Sequence, residues 1–188
     1  DPDAIRMARE KYTERHERRA KEIESWDDAT FLNKAKITRA GKITNAAIIL
    51  LGREESEHFL SPAVCVIRWK LIAKEDKNKD FHNFHVPMIK SVEEITTGYI
   101  RNNNYVYTVS GNIFPENMMR YDVFTLREPI CNAIGHQDYG MGARIELLEY
   151  EDEKLVIQNY GQFIPNSVED VVEKDCPDSR YRNPFLIL

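Results

Sequence analysis

Asp122 to Gln158 read DVFTLREPICNAIGHQDYGMGARIELLEYEDEKLVIQ, and the fold turns on how this stretch divides. Phe124, Leu126, Ile130, Cys131 and Ile134 supply the apolar surface of a helix that Asp122 is placed to cap. Pro129 sits inside that pattern, where it removes a backbone donor and disfavours helical dihedrals at the preceding residue. The sequence therefore predicts a kink at Glu128 or a helix that effectively begins there. Ile145 to Tyr150 and Leu155 to Gln158 are two short strands, and Glu151-Asp152-Glu153 between them makes a tight hairpin.

Working outward, Tyr105 to Val109 alternates as a strand until Gly111 breaks it, and Ile89, Val92, Ile95 and Ile100 mark a helix with one wet side. Val64 to Leu71 is rich in branched and aromatic residues and reads as a strand. Lys74 to Asn83 reads as a charged loop or a ragged hairpin. Downstream, Asn159-Tyr160-Gly161 is a turn, and Ser167 precedes a short helix with acidic residues in its first turn. Strand, helix, strand, strand, short helix is the order of an α+β fold, an α/β sandwich with helices on one face of a mixed sheet. Ahead of it, Ile43 to Leu51 reads as a buried helix capped by Thr44 or Asn45 and ended by Gly52. Asp27-Asp28 start a helix through Lys34, and residues 3–23 form a charged, solvated helix able to pack against a neighbouring domain. The expected division is a helical subdomain or linker over 1–55 and the sandwich over 56–188.

A net charge of −5 on 188 residues argues against a wholly basic nucleic-acid surface. Cys65, Cys131 and Cys176 are an odd, widely spaced set with no CxxC, which reads as reduced thiols in the cytoplasm, with an intermolecular disulfide the alternative. The apolar run from Ala46 to Leu51 is far too short to span a bilayer, and no signal peptide opens the sequence. Asp1-Pro2-Asp3 at one end and Phe185-Leu186-Ile187-Leu188 at the other suggest a piece cut from a longer protein.

Glu128, Asn132 and His136 are spaced four apart, so a helix sets them on one face. A carboxylate can orient a water and an amide oxygen can help hold a hard cation. The same pair also suits a plain surface hydrogen bond or a support for strand 105–109. His136 with Asp138 is either a base and its orienter or a helix-end histidine, and two ligands make no zinc site. His82 and His85 read as structural or exposed. Tyr139-Gly140-Met141-Gly142 is either a phosphate cradle or an ordinary loop. Tyr105 and Tyr107 beside Arg101 suit cross-strand packing better than stacking on single-stranded nucleic acid. Arg182 has Asp178 as an acidic neighbour.

The segments Ile43 to Gly52, Arg127-Glu128, Asn132-Ala133, His136 to Tyr139, Asn159-Tyr160-Gly161 and Tyr181 to Pro184 resemble the C-terminal part of the bacterial RecG-related, divergent-AAA (Alba-type) transcriptional regulators. That resemblance implies a degenerate version of the ATPase fold shared by gyrase, heat-shock chaperones and histidine kinases. It also implies an Alba-like, DNA-binding domain ahead of Asp1. Carried over, Glu128 becomes the catalytic carboxylate that orients water, and Asn132 holds Mg²⁺. Asn159 and Gly161 touch the base of ATP, with His136, Gly140 and Gly142 completing the cofactor site. The chain departs from the pattern at Asn159 and Phe163, where the ATPases have an aspartate and a glycine, and it carries no helicase motif, GxGxxG or P-loop. The expectation is weak or absent nucleotide binding and no hydrolysis by this chain. The alternative is a non-enzymatic scaffold that couples the preceding domain to a partner or a dimer mate.

Overall fold

A computed structural model describes residues 1–73, 77–101, 104–107, 113–114, 116–151, 153–162, 164, 167–173 and 181–186. The chain begins with helices α1 (Pro2–Arg15), α2 (Ala20–Glu24) and α3 (Asp28–Lys34). Asp1 caps α1 by accepting from the Ala4 amide at 2.9 Å, and Asp27 caps α3 by accepting from Thr30 at 2.8 Å. The one helix expected over 3–23 is instead broken at His16, whose backbone leaves the helical region before a 3-10 turn over Glu17–Arg19. A small hairpin of β1 (Thr38–Arg39) and β2 (Lys42–Ile43) follows, turning at Gly41 with φ +76°. Then comes α4 (Asn45–Leu51), capped by the Thr44 hydroxyl on the Ala47 amide. The backbone turns extended at Gly52 and ends it, and glycine is needed there because a Cβ would sit 2.5 Å from the Ile48 carbonyl oxygen.

The central sheet has β3 (Ile67–Ile72) parallel to β7 (Ile145–Tyr150), with β4 (Asn78–Phe84) and β8 (Lys154–Gln158) antiparallel on the two edges. The parallel pair demands a long crossover. It is made by α5 (Met88–Glu94), a π-helical turn over Ile95–Tyr99, a separate hairpin of β5 (Asn104–Tyr107) and β6 (Glu116–Met119), and α6 (Val123–His136). A last helix, α7, covers Val168–Glu173. The protein is thus an α+β fold with helices flanking a central mixed sheet. Of the two readings of Lys74 to Asn83, the described residues bear out the hairpin: β4 pairs antiparallel with β3, most of its side chains are exposed so no apolar alternation marks it, and its register is set by β3.

Alternation along β3 and β7 sends Ile67, Trp69 and Leu71, with Ile145 and Leu147, into one core against Leu126, Ile130 and Ile134 of α6. Glu149 shares that inward row and is buried, and there it accepts the Trp69 indole N–H at 2.8 Å and the Arg101 amide N–H at 3.0 Å. A second cluster forms around Ala4, Ala8, Phe31 and Ile37. The two are joined by α4, which places Ile49 in the first and Ala47 with Leu51 in the second.

The helix carrying Glu128 begins at Val123, where Asp122 accepts from the Phe124 and Thr125 amides at 2.9 and 3.2 Å. It runs on through Pro129 to His136, so a start at Glu128 is ruled out. Buried Leu126 and Ile130 anchor the turns on both sides of the exposed proline.

Candidate functional site: the cleft between α1 and α6

While Leu126, Ile130, Ala133 and Ile134 of α6 face the core, Glu128, Cys131 and Asn132 open on a cleft of about 350 Å³. Its opposite wall is α1, through Met7, Lys11, Tyr12 and Arg15, and its floor comes from α4 and α5. Most of the lining is apolar. The charged side chains are Lys11, Arg15 and Arg127 against Glu93 and Glu128. Arg127 pairs with Glu93 at 2.9 Å, and the Asn132 amide donates to Glu128 Oε1 at 3.3 Å. Burial pushes the Cys131 thiol pKa up, with Arg127 opposing and Glu128 adding to the rise.

The acid and the amide therefore line one cleft; their spacing of four sets them on one face, and the helices packed opposite make the hollow. The remaining residues of the expected site do not line it: His136, Gly140, Gly142, Asn159 and Gly161 are all absent from its walls. His136, Gly140, Gly142 and Gly161 belong instead to a structural knot at the C-terminal end of α6, and Asn159 is exposed beside it. Gln137 is fully buried there, donating to the Ala143 carbonyl and accepting from the Tyr160 amide, each at 2.8 Å. The Asp138 amide donates to the Tyr160 carbonyl at 2.7 Å. Asn183 closes the knot by donating its side-chain amide to the Gln137 carbonyl at 2.8 Å.

In that knot the expected phosphate contacts and Gly161 already have other work. The Gly140 amide donates to Asp138 Oδ1 at 3.1 Å, and Gly142 supplies a left-handed turn at φ +66°. Gly161 has φ +152°, and a Cβ on it would meet the Arg182 guanidinium at 3.2 Å. That guanidinium pairs with Asp138 at 3.3 Å and donates to the Gln162 carbonyl at 2.9 Å. His136 packs its ring on Tyr181 with centroids 5.0 Å apart, and Asn159 is exposed. Asp178, Phe163 and Cys176, and the side chains of Tyr105 and Tyr107, lie outside the described residues.

The other histidine pair is structural. His82 sits 4.7 Å from the Phe84 and Tyr99 rings, and His85 Nδ1 lies 3.0 Å from Glu57. Among the described residues no group of three or more His, Cys, Asp or Glu side chains is placed to hold a metal. Nor is any helix among them long and apolar enough to cross a membrane. The opposite wall is α1, expected as a solvated helix able to pack against a neighbouring domain; what sequence reasoning did not place is that packing opposite α6. Its signal was present: Ala4, Ala8 and Tyr12 repeat every four residues, and the structure turns that stripe inward.

A family model described as a domain of unknown function (DUF8451) matches residues 1–67, the helical unit up to the first residue of β3. No curated protein matches the chain. The crystal structure of the DIP2311 protein from Corynebacterium diphtheriae is similar over 99% of this chain, with a TM-score of 0.71 and 17% identity. The chain spans 35% of that protein's length. At that identity the likeness speaks to the fold alone.

Proposed function

We propose that the chain is a non-enzymatic regulatory module of a longer cytoplasmic transcriptional regulator. In this reading an ATPase-like sandwich, no longer equipped for nucleotide, couples the helical unit to a partner or a dimer mate, and DNA is contacted by another domain. The observation that carries it is the separation of the expected nucleotide set. Glu128 and Asn132 open on an apolar cleft, while Gly140, Gly161 and His136 are engaged in the knot around Gln137. The acidic balance of the chain supports placing DNA contacts elsewhere.

A second reading, a degenerate Mg-ATP pocket, is favoured by one observation: Glu128 and Asn132 share a cleft. The rest of the set does not fit it, so no catalytic step is drawn through nucleotide. Calorimetric titration with Mg-ATP separates the two. The regulatory reading expects no saturable heat from the chain or from Asn132→Ala. A saturable heat that disappears in Asn132→Ala would overturn it in favour of the pocket.

A further inference from the structure

We propose that the cleft between α1 and α6 is a binding site for a small anionic amphiphile of the medium-chain carboxylate class. The inference deepens the regulatory reading by giving its effector a chemical class, and rests on that reading only for what binding would regulate. The cleft, at about 350 Å³, falls in the range of roughly 300–1,000 Å³ typical of small-ligand sites. Its walls have the right character, apolar with a few polar groups. Met7, Ile89 and Cys131 are half-buried around it, and Phe124 stands 72% exposed beside it. An apolar occupant would remove that surface from water.

Charge then orients the occupant. Three cations and two carboxylates line the cleft, and they are not equally engaged. On the α6 side Arg127 is neutralised by Glu93, and Glu128 leaves a negative charge next to Asn132. On the α1 side Lys11 and Arg15 are four residues apart and share a face. Among the described residues Lys11 pairs only with Glu14, at 3.6 Å and largely in solvent. Arg15 has no hydrogen-bond or ion-pair partner among the described residues. The carboxylate therefore belongs at Arg15 and Lys11, with the chain running inward towards Ile89 and Cys131. Such a ligand touches the helical unit with its head and the sandwich with its tail, and so ties the two together. A phosphate-rich ligand would leave the apolar walls uncovered, and a cationic head would find the single carboxylate of Glu128 against Lys11 and Arg15, Glu93 being paired with Arg127.

The test is calorimetry of the 188-residue chain with decanoate below its micellar concentration. The expected result is saturable binding at a single site, weakened about tenfold or more by Arg15→Glu. That variant alters an exposed side chain and should melt at the parental temperature. Decyltrimethylammonium, of equal chain length and opposite charge, should bind at least about tenfold more weakly. On the unmutated chain, decanoate should also slow alkylation of Cys131 by N-ethylmaleimide, followed by peptide mass spectrometry. Three results would overturn the proposal: no saturable binding, equal binding of the cationic detergent, or an unchanged Cys131 alkylation rate. None of these measurements contains nucleotide, so their failure is separable from the Mg-ATP titration.

Discussion

Gly161 shows how far a residue's meaning depends on what lies across from it. Read along the chain it is the glycine of a base-gripping turn; in the fold its bare Cα leaves room for Arg182. Substitution by alanine meets both a backbone conformation that side chains rarely adopt and a guanidinium held by Asp138. Gly161→Ala should therefore lower the unfolding free energy by about 1–3 kcal/mol, read from urea denaturation; an unmoved midpoint would refute the close-packing account. Cys65 offers a pH test. Burial, with a smaller contribution from Glu57, pushes its thiol pKa from 9.0 up to about 12. A raised pKa means the folded state holds the proton more tightly. The stability this provides is whole below pH 9.0 and is lost as the pH rises towards about 12. Across that window the stability of Cys65→Ala should decline less steeply than that of the parent chain.

At the scale of elements, caps and periods were legible because their causes lie within one or two turns of chain. Asp27, Thr44 and Asp122 were each readable as helix starts, and each accepts the expected amide hydrogen bond. Thr44→Ala should cost about 1 kcal/mol in thermal or urea unfolding. Pro129 is instructive: of a kink at Glu128 and a helix start there, the structure removes the start. Its local cost is real, yet Leu126 and Ile130 hold the helix against the sheet on either side of it. The cost remains in the molecule, so Pro129→Ala should stabilise by up to about 3 kcal/mol, again measured by urea unfolding. No gain would mean that the helix has already relaxed around the ring. β4 was legible only as one of two alternatives, for the opposite reason: its exposed side chains carry no pattern, and the open edge of β3 makes it a strand.

At the scale of the whole molecule, α4 is the joint, since alternate faces of one apolar helix serve two clusters. The two tryptophans report on those clusters separately: Trp26 packs on the helical one, and Trp69 is buried in the sheet core. Ile49→Ala should cost about 2–5 kcal/mol, and the Trp26 and Trp69 fluorescence transitions, resolved in single-tryptophan variants, should move together. Separate transitions would show that the helical unit and the sandwich unfold independently. The candidate site belongs to this scale too. That Glu128 and Asn132 share a face followed from a spacing of four; what they face did not, because α1 is brought opposite them from more than a hundred residues away in the chain.

The amino-acid order by itself determined the helix starts, the Gly52 stop, the β7–β8 hairpin and the side-by-side placement of Glu128 with Asn132. Those are consequences of short-range sterics and hydrogen bonding, complete within a few residues. Only the tertiary structure decided that β3 pairs parallel with β7, that α1 walls a cleft, and that Gly140 and Gly161 serve the knot around Gln137 and Arg182. Each of those depends on which distant surface arrives to exclude water or complete a buried hydrogen bond, and that is a property of packing, not of any one stretch of chain.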